Sequence, residues 1–377
     1  MGLPRAVAYS LPTMTTATGR PRRSRSGLIL FLVLLALISW EVIGRASPLV
    51  RTTPLRFAGA AWAVASGHAV APAGGPGAEE MANLAYRPLP YVMFGLKPDW
   101  TRINQVRASD GATLKKTSNH LGFRGRDVVQ PKPAGRTRLV CLGGSTTYGD
   151  ATDDDHTYPV LLEQALRAAR PGRDIEVINA GVLSYTTAET LASLAFRCLD
   201  LQPDVLVLYE GINDVRPRRY ANFDGAYFHY RKVWDGSAAG YEKGAGDMGG
   251  GINCFIQHLP PADNGDAAAN QQAAGTAAFR RNLTSIAGLA KAHGIAVVLV
   301  SCVSDPAPKL PDAALAAGIV EHNGVVREVA AQQGALFIDM AAAYRGEGQF
   351  EDLVHMNDAG SLQMAQIVAE GLLKGTL

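Results

Sequence analysis

The sequence has little of what staples or metallates a domain. Its four cysteines, Cys141, Cys198, Cys254 and Cys302, form no CxxC pair and no Cys/His ligand spacing, so a metal site is not supported. Cys141 and Cys302 lie in apolar runs, where a free thiol behaves as a small hydrophobe. A Cys198–Cys254 disulfide stays open as an option in an oxidising compartment. Charge is also sparse: charged residues are 19% of the chain, and 36 basic against 34 acidic side chains leave a net charge of +2. Binding to a phosphate backbone needs a basic face, so no nucleic acid partner is expected. The 40 glycines and 21 prolines show no G-X-Y period, which excludes collagen and points to loop-rich stretches. What is abundant is apolar surface, at 47% hydrophobic residues, which excludes a wholly disordered chain. A length of 377 residues allows one large domain with appendages or two ordinary domains, at roughly 100 to 200 residues each.

One segment is strongly biased. Arg20, Arg22, Arg23 and Arg25 precede an apolar run at 27–40, short beside the ~20 residues that span hydrocarbon. A cleaved signal peptide fits the run and the small-x-small triplet Gly44-Arg45-Ala46. An uncleaved transmembrane anchor fits the basic leader, with a tilted helix end accommodating Glu41, and is the reading adopted here. Arginines before the run place the remainder outside the cytoplasm. The expected layout is a basic leader at 1–26, an anchor or signal peptide at 27–44, an Ala/Gly/Pro-rich linker at 45–90 and an exported body at 91–377.

Within that body, short apolar runs alternate with helix-length amphipathic stretches, the pattern of an α/β fold on a parallel sheet. Runs at 138–143, 176–179, 204–209, 296–302 and 335–339 are rich in Val, Ile and Leu, as strands covered on both faces should be. Stretches at 158–169, 187–198, 276–293 and 315–333 carry apolar residues at helical spacing. Residues 216–275 break the rhythm. This insertion holds Tyr220, Phe223, Tyr227, Phe228, Tyr230 and Trp234 before a Gly-rich run. Long loops inside compact domains are often lids or binding loops, and Tyr and Trp faces can stack on sugar rings, so Tyr227 and Trp234 are candidate substrate contacts.

In an open parallel sheet, ligands bind beyond the carboxyl ends of the strands. Those ends carry Gly143-Gly144-Ser145-Thr146, Asn179-Ala180-Gly181 and Gly211-Ile212-Asn213-Asp214, and the C-terminal region adds Asp352-Leu353-Val354-His355. A serine hydroxyl is a weak nucleophile until a base takes its proton. His355 can be that base, and Asp352, three residues before it, can reach the second ring nitrogen within one local turn. The Ser145 and Gly181 N–H groups and the Asn213 amide are suitable donors for an oxyanion hole.

Taken together, these blocks resemble the SGNH (GDSL-type) hydrolases, in the expected order, with Gly143-Gly144-Ser145 in place of the more usual Gly-Asp-Ser. Thr157-Tyr158-Pro159 and Asn323 are further matches, and the resemblance runs from about Asn119 to the C-terminus. It implies a flavodoxin-like three-layer α/β/α sandwich with a parallel five-stranded sheet. It also implies catalysis by Ser145, Asp352 and His355, an oxyanion hole of Ser145, Gly181 and Asn213, and no cofactor. The stretch Asn119-His120-Leu121-Gly122-Phe123-Arg124-Gly125 resembles a block of exported, membrane-tethered members associated with bacterial surface polysaccharides. Its Arg124 is a candidate for either a substrate contact or a structural salt bridge. The expected function is an esterase of the bacterial cell envelope that deacetylates O-acetylated polysaccharide. The alternatives are a polysaccharide O-acetyltransferase, a lipase or thioesterase, or a non-catalytic glycan-binding protein.

Overall fold

The computed structural model describes residues 85–231 and 263–376. The expected leader, anchor and most of the linker lie outside these residues, as do Trp234 and Cys254. Two antiparallel hairpins come first, pairing β1 (Tyr86–Leu89) with β2 (Met93–Leu96) and β3 (Thr101–Val106) with β4 (Thr113–Thr117). The end of the expected linker is therefore a strand. The alternation that marks the hairpins in the sequence is short: β4, Thr-Leu-Lys-Lys-Thr, alternates exposed and buried residues but buries a lysine, which defeats a hydrophobicity pattern.

The body then runs β5 (Thr137–Gly143), α1 (Ser145–Tyr148), α2 (Tyr158–Ala169), β6 (Ile175–Asn179), α3 (Thr187–Ser193), β7 (Val205–Tyr209), α4 (Ile212–Val215), α5 (Ala267–Ala274), α6 (Ala277–Ala292), β8 (Ala296–Val300), α7 (Ala313–Gln333), β9 (Leu336–Ile338), α8 (Met340–Ala343) and α9 (Asp358–Gly375). Strands β5 to β9 make one parallel sheet in the order β6-β5-β7-β8-β9, the flavodoxin-like order. All five strands stand where the apolar runs predict. Because successive side chains alternate across a strand, Leu139 and Cys141 face a core shared with Leu162, Met364 and Val368 of α2 and α9. Val140 and Leu142 face the opposite core, with Phe279, Leu283 and Val329 of α6 and α7. Helices on both faces explain why the strands are uniformly apolar.

Cys198 belongs to this second core as a free, buried thiol, so the disulfide option is withdrawn. Burial raises its pKa to about 11. The hairpin β1–β2 forms a third cluster, in which Tyr86, Phe94 and Leu96 pack on Tyr148, Val182 and Tyr185. Those three follow β5 and β6, so the hairpin buttresses the end of the sheet where ligands bind.

Candidate active site

Strand β5 ends at Gly143, and the chain turns at Gly144 so that Ser145 is the first residue of α1. A first-turn amide has no acceptor inside its helix, which leaves the Ser145 N–H available. A Cβ on Gly144 would stand 2.5 Å from Asn213 Nδ2, while the φ of −83° is ordinary. The glycine at this position is therefore required by space, and the departure from Gly-Asp-Ser matches the close seat of the Asn213 amide.

His355 arrives from the loop before α9. Its Nε2 lies 2.6 Å from Ser145 Oγ, and its Nδ1 lies 2.6 Å from Asp352 Oδ2. Asp352 Oδ1 accepts the N–H groups of Val354 and His355, each at 2.9 Å, an Asx-type turn that folds the carboxylate back onto the ring three residues on. Thr146 Oγ1 donates to the Val354 carbonyl at 3.3 Å, joining α1 to this loop. Partial burial would raise the Asp352 pKa, but the hydrogen bond and charge of His355 and the two backbone donors outweigh it and hold the carboxyl well below the usual range.

Asn213 is buried, and its Nδ2 donates to the Tyr185 carbonyl at 2.9 Å, leaving a second amide hydrogen. Gly181 departs from expectation. Its N–H donates to Asn179 Oδ1 at 3.0 Å, and a Cβ there would meet Tyr148 N at 2.3 Å and Thr147 C at 2.6 Å. Gly181 is a close-packing position beneath α1 whose N–H is already engaged. The next turn, closed by Tyr185 N–H on the Val182 carbonyl at 3.2 Å, has no acceptor for the Leu183 or Ser184 N–H among the described residues. Ser184 holds a left-handed φ of 62°, a conformation that costs energy in a non-glycine residue.

Behind Asn213 sits a buried acidic group that sequence reasoning missed. Asp214 accepts Thr187 N–H at 2.9 Å, Thr187 Oγ1 at 2.6 Å and Tyr227 OH at 2.8 Å. Burial raises its pKa to about 6 against these hydrogen bonds. Glu210 receives Thr190 Oγ1 at 2.6 Å, and burial together with Asp214 raises its pKa well above the usual range. Glu189 is instead ion-paired with Arg231 at 2.6 Å. The adjacent Asn-Asp pair was the available sequence signal: one residue faces the site and the other anchors the turn. Tyr227, expected at the substrate, is fully buried as a ligand of Asp214. Of the other described aromatics of the insertion, Phe223 and Tyr220 flank His229 and Tyr220 packs on Tyr230, while Phe228 is exposed.

Of the two readings of Arg124, the structural salt bridge is the one that forms, and the substrate contact is withdrawn. Its side chain is fully buried, ion-paired with Asp154 at 2.8 Å and stacked 4.5 Å from the Tyr148 ring centroid. There it braces the end of α1. Lys116 pairs with Asp150 at 2.8 Å, whose carboxylate also feels the charge of His355, and burial lowers the lysine pKa to about 8 although Asp150 opposes the shift.

The hairpin β3–β4 reaches the same loop. Arg107 grips both carboxylate oxygens of Asp358, at 2.7 and 3.0 Å, and Ser109 N–H donates to Glu351 at 3.1 Å. Glu351 precedes Asp352, and Asp358 follows His355 by three residues, so the hairpin holds the Asp352–His355 loop from both ends. Among the described residues, no group of three His, Cys, Asp or Glu side chains could hold a metal ion.

Comparison with curated proteins gives no match. Among solved structures, the chain is similar to an acetylxylan esterase from Geobacillus stearothermophilus at 17% identity, over 63% of this chain and 94% of that one, with a TM-score of 0.41. It is similar to TesA at 20% identity, over 63% and 98% of the two chains, with a TM-score of 0.40. An α/β-hydrolase enzyme from the Lake Arreo metagenome in Spain gives 18% identity, over 62% and 94%, with a TM-score of 0.41. The GDSL-like lipase/acylhydrolase family model matches residues 141–362, a span that runs from β5 through Ser145 and His355 into α9. The chain belongs to the GDSL-like lipase/acylhydrolase family, as an enzyme acting on ester bonds.

Proposed function

We propose that this enzyme is a serine esterase, held at the bacterial cell envelope with its body outside the cytoplasm, that removes acetyl groups from an O-acetylated surface polysaccharide. The chemistry rests on one observation, the continuous line from Ser145 Oγ through the His355 ring to Asp352, with 2.6 Å at each step. His355 takes the Ser145 proton as Oγ attacks the ester carbonyl. The oxyanion that forms is received by the Ser145 N–H and the second hydrogen of the Asn213 amide. Collapse expels the sugar alkoxide, which takes the proton from His355 and leaves an acetyl-Ser145. Water, deprotonated by His355, then releases acetate and restores the serine. Throughout, the Asp352 carboxylate fixes the ring and stabilises the imidazolium.

The cell-envelope location is supported by the arginines and the apolar run at 20–40. Among the described residues no helix is long and apolar enough to cross a membrane. A polymeric substrate is supported by the export signal and by an open groove beside Asp352, described below.

Ser145→Ala in the purified full-length chain is the direct test. Acetate release from an aryl acetate and from an O-acetylated polysaccharide is expected to fall by at least a thousandfold, and undiminished hydrolysis would overturn the reading. Protease added to intact spheroplasts should degrade the body, and its protection there would overturn the proposed location.

A further inference from the structure

A groove leads away from the catalytic loop. One cavity of about 460 Å³ begins at Ile212, Asp352 and Val354, beside the oxyanion and acid–base residues, and a second of about 430 Å³ ends at Tyr220. The two share Arg216, Asp312 and Leu315, so Arg216 stands at their junction. Asn213 and Arg216 are three residues apart on the helical path of α4 into the turn at Arg216–Arg219. Residues at that spacing lie about 5–6 Å apart between Cβ atoms on one face. The backbone that carries Arg216 is therefore adjacent to the backbone that carries the oxyanion donor.

The charges in the groove are unevenly engaged. Asp312 pairs with Arg219 at 2.7 Å and accepts the Leu315 N–H at 3.0 Å. Glu351 is taken by Ser109, and Asp352 by His355. Formal charge balances, with Arg216, Arg219 and Lys309 against these three carboxylates, so the groove is no general trap for polyanions. Yet every lining carboxylate has a hydrogen-bonded or ion-paired partner, while among the described residues Arg216, whose charge is also felt by Asp312, and the exposed Lys309 make no hydrogen bond or ion pair. Arg216 is half-buried, and a guanidinium with no hydrogen bond among the described residues is suited to a planar carboxylate, which it can hold with two parallel hydrogen bonds.

We propose that the groove selects acetyl esters whose alcohol portion carries a carboxylate, as a uronic acid residue does, and that Arg216 is the residue that recognises it. This rests on the esterase reading above and names its substrate class. The leaving-group side of the ester lies in the groove, its apolar ring faces on Ile212 and Leu353, its carboxylate on Arg216, with Lys309 adding long-range attraction from the rim.

The test compares 4-acetoxybenzoate with the neutral 4-acetoxybenzamide, on the full-length protein and on Arg216→Gln and Arg216→Lys. The wild-type protein should favour the carboxylate by roughly tenfold or more in kcat/KM, expressed in KM, as expected for hydrogen bonds to a charged group. In Arg216→Gln the preference should disappear; in Arg216→Lys it should survive in part and be more easily screened by salt. Equal kcat/KM for the two esters in the wild type, or a preference that persists in Arg216→Gln, would overturn the proposal. Calorimetric binding of 4-acetoxybenzoate to Ser145→Ala reads the groove without turnover. Binding there that depends on Arg216 would uphold carboxylate recognition even if neither ester were hydrolysed, and its absence would overturn recognition even if both were.

Discussion

Replacing Gly144 by alanine tests the seat of the oxyanion donor with a single methyl group. The new Cβ would stand 2.5 Å from Asn213 Nδ2, about an ångström inside normal contact. The amide has no room to yield, since it is buried and bonded to the Tyr185 carbonyl at 2.9 Å. Tyr185 in turn is fixed by Phe94 across a 5.2 Å edge-to-face contact. If the amide is expelled, the transition state loses one donor, worth about 3 kcal/mol, or roughly a hundredfold in kcat. KM should change little, because the donor acts on charge that develops only in the transition state. The assay is steady-state hydrolysis of an aryl acetate by Gly144→Ala, Asn213→Ala and the double variant, with thermal melting as the control for folding. Because both changes remove the same donor, the double variant should be no slower than the worse single one. Retention of kcat within twofold in Gly144→Ala, or losses that multiply in the double variant, would refute the close approach.

Three further outcomes follow from the geometry. Arg107→Ala frees Asp358 and loosens the Asp352–His355 loop, so kcat should fall by roughly tenfold with KM nearly constant, as for small misplacements of reacting groups; an unchanged kcat in a normally folded variant would show that the hairpin does not position the loop. Tyr227→Phe removes a hydrogen bond to a buried carboxyl and should lower stability by about 1.5–3 kcal/mol with KM for aryl acetates unchanged, whereas a raised KM at full stability would return Tyr227 to the substrate. For Asp214, a pKa raised from 3.8 to about 6 means that the folded state binds its proton more tightly than the unfolded chain. Its contribution is fully present below pH ~4 and is lost as pH rises through about 6, a change of up to about 3 kcal/mol. Denaturant titrations of wild type against Asp214→Asn at pH 4 and pH 7 should show that difference, and parallel curves would show that Asp214 titrates normally.

The sequence by itself determined the sheet and the order of the chemistry. Strands covered on both faces need unbroken apolar runs, and β5 to β9 announced themselves that way, as did α2 and α7. Ser145 and the Asp352–His355 pair were legible because each sits at a strand end or within a local turn, where spacing alone fixes reach. Tertiary structure decided whatever depends on neighbours distant in the chain. Gly181, Arg124 and Tyr227 are the right residue types for a site, but the first has its N–H taken by Asn179, the second is buried against Asp154, and the third serves Asp214. No pattern in one segment can reveal that a polar group is already engaged by another. The hairpin β3–β4 hid for a related reason: its buried lysine is tolerable only because Asp150, from the body, meets it. The groove at Arg216 is the converse case, a cation whose significance lies in having no hydrogen bond or ion pair among the described residues around it.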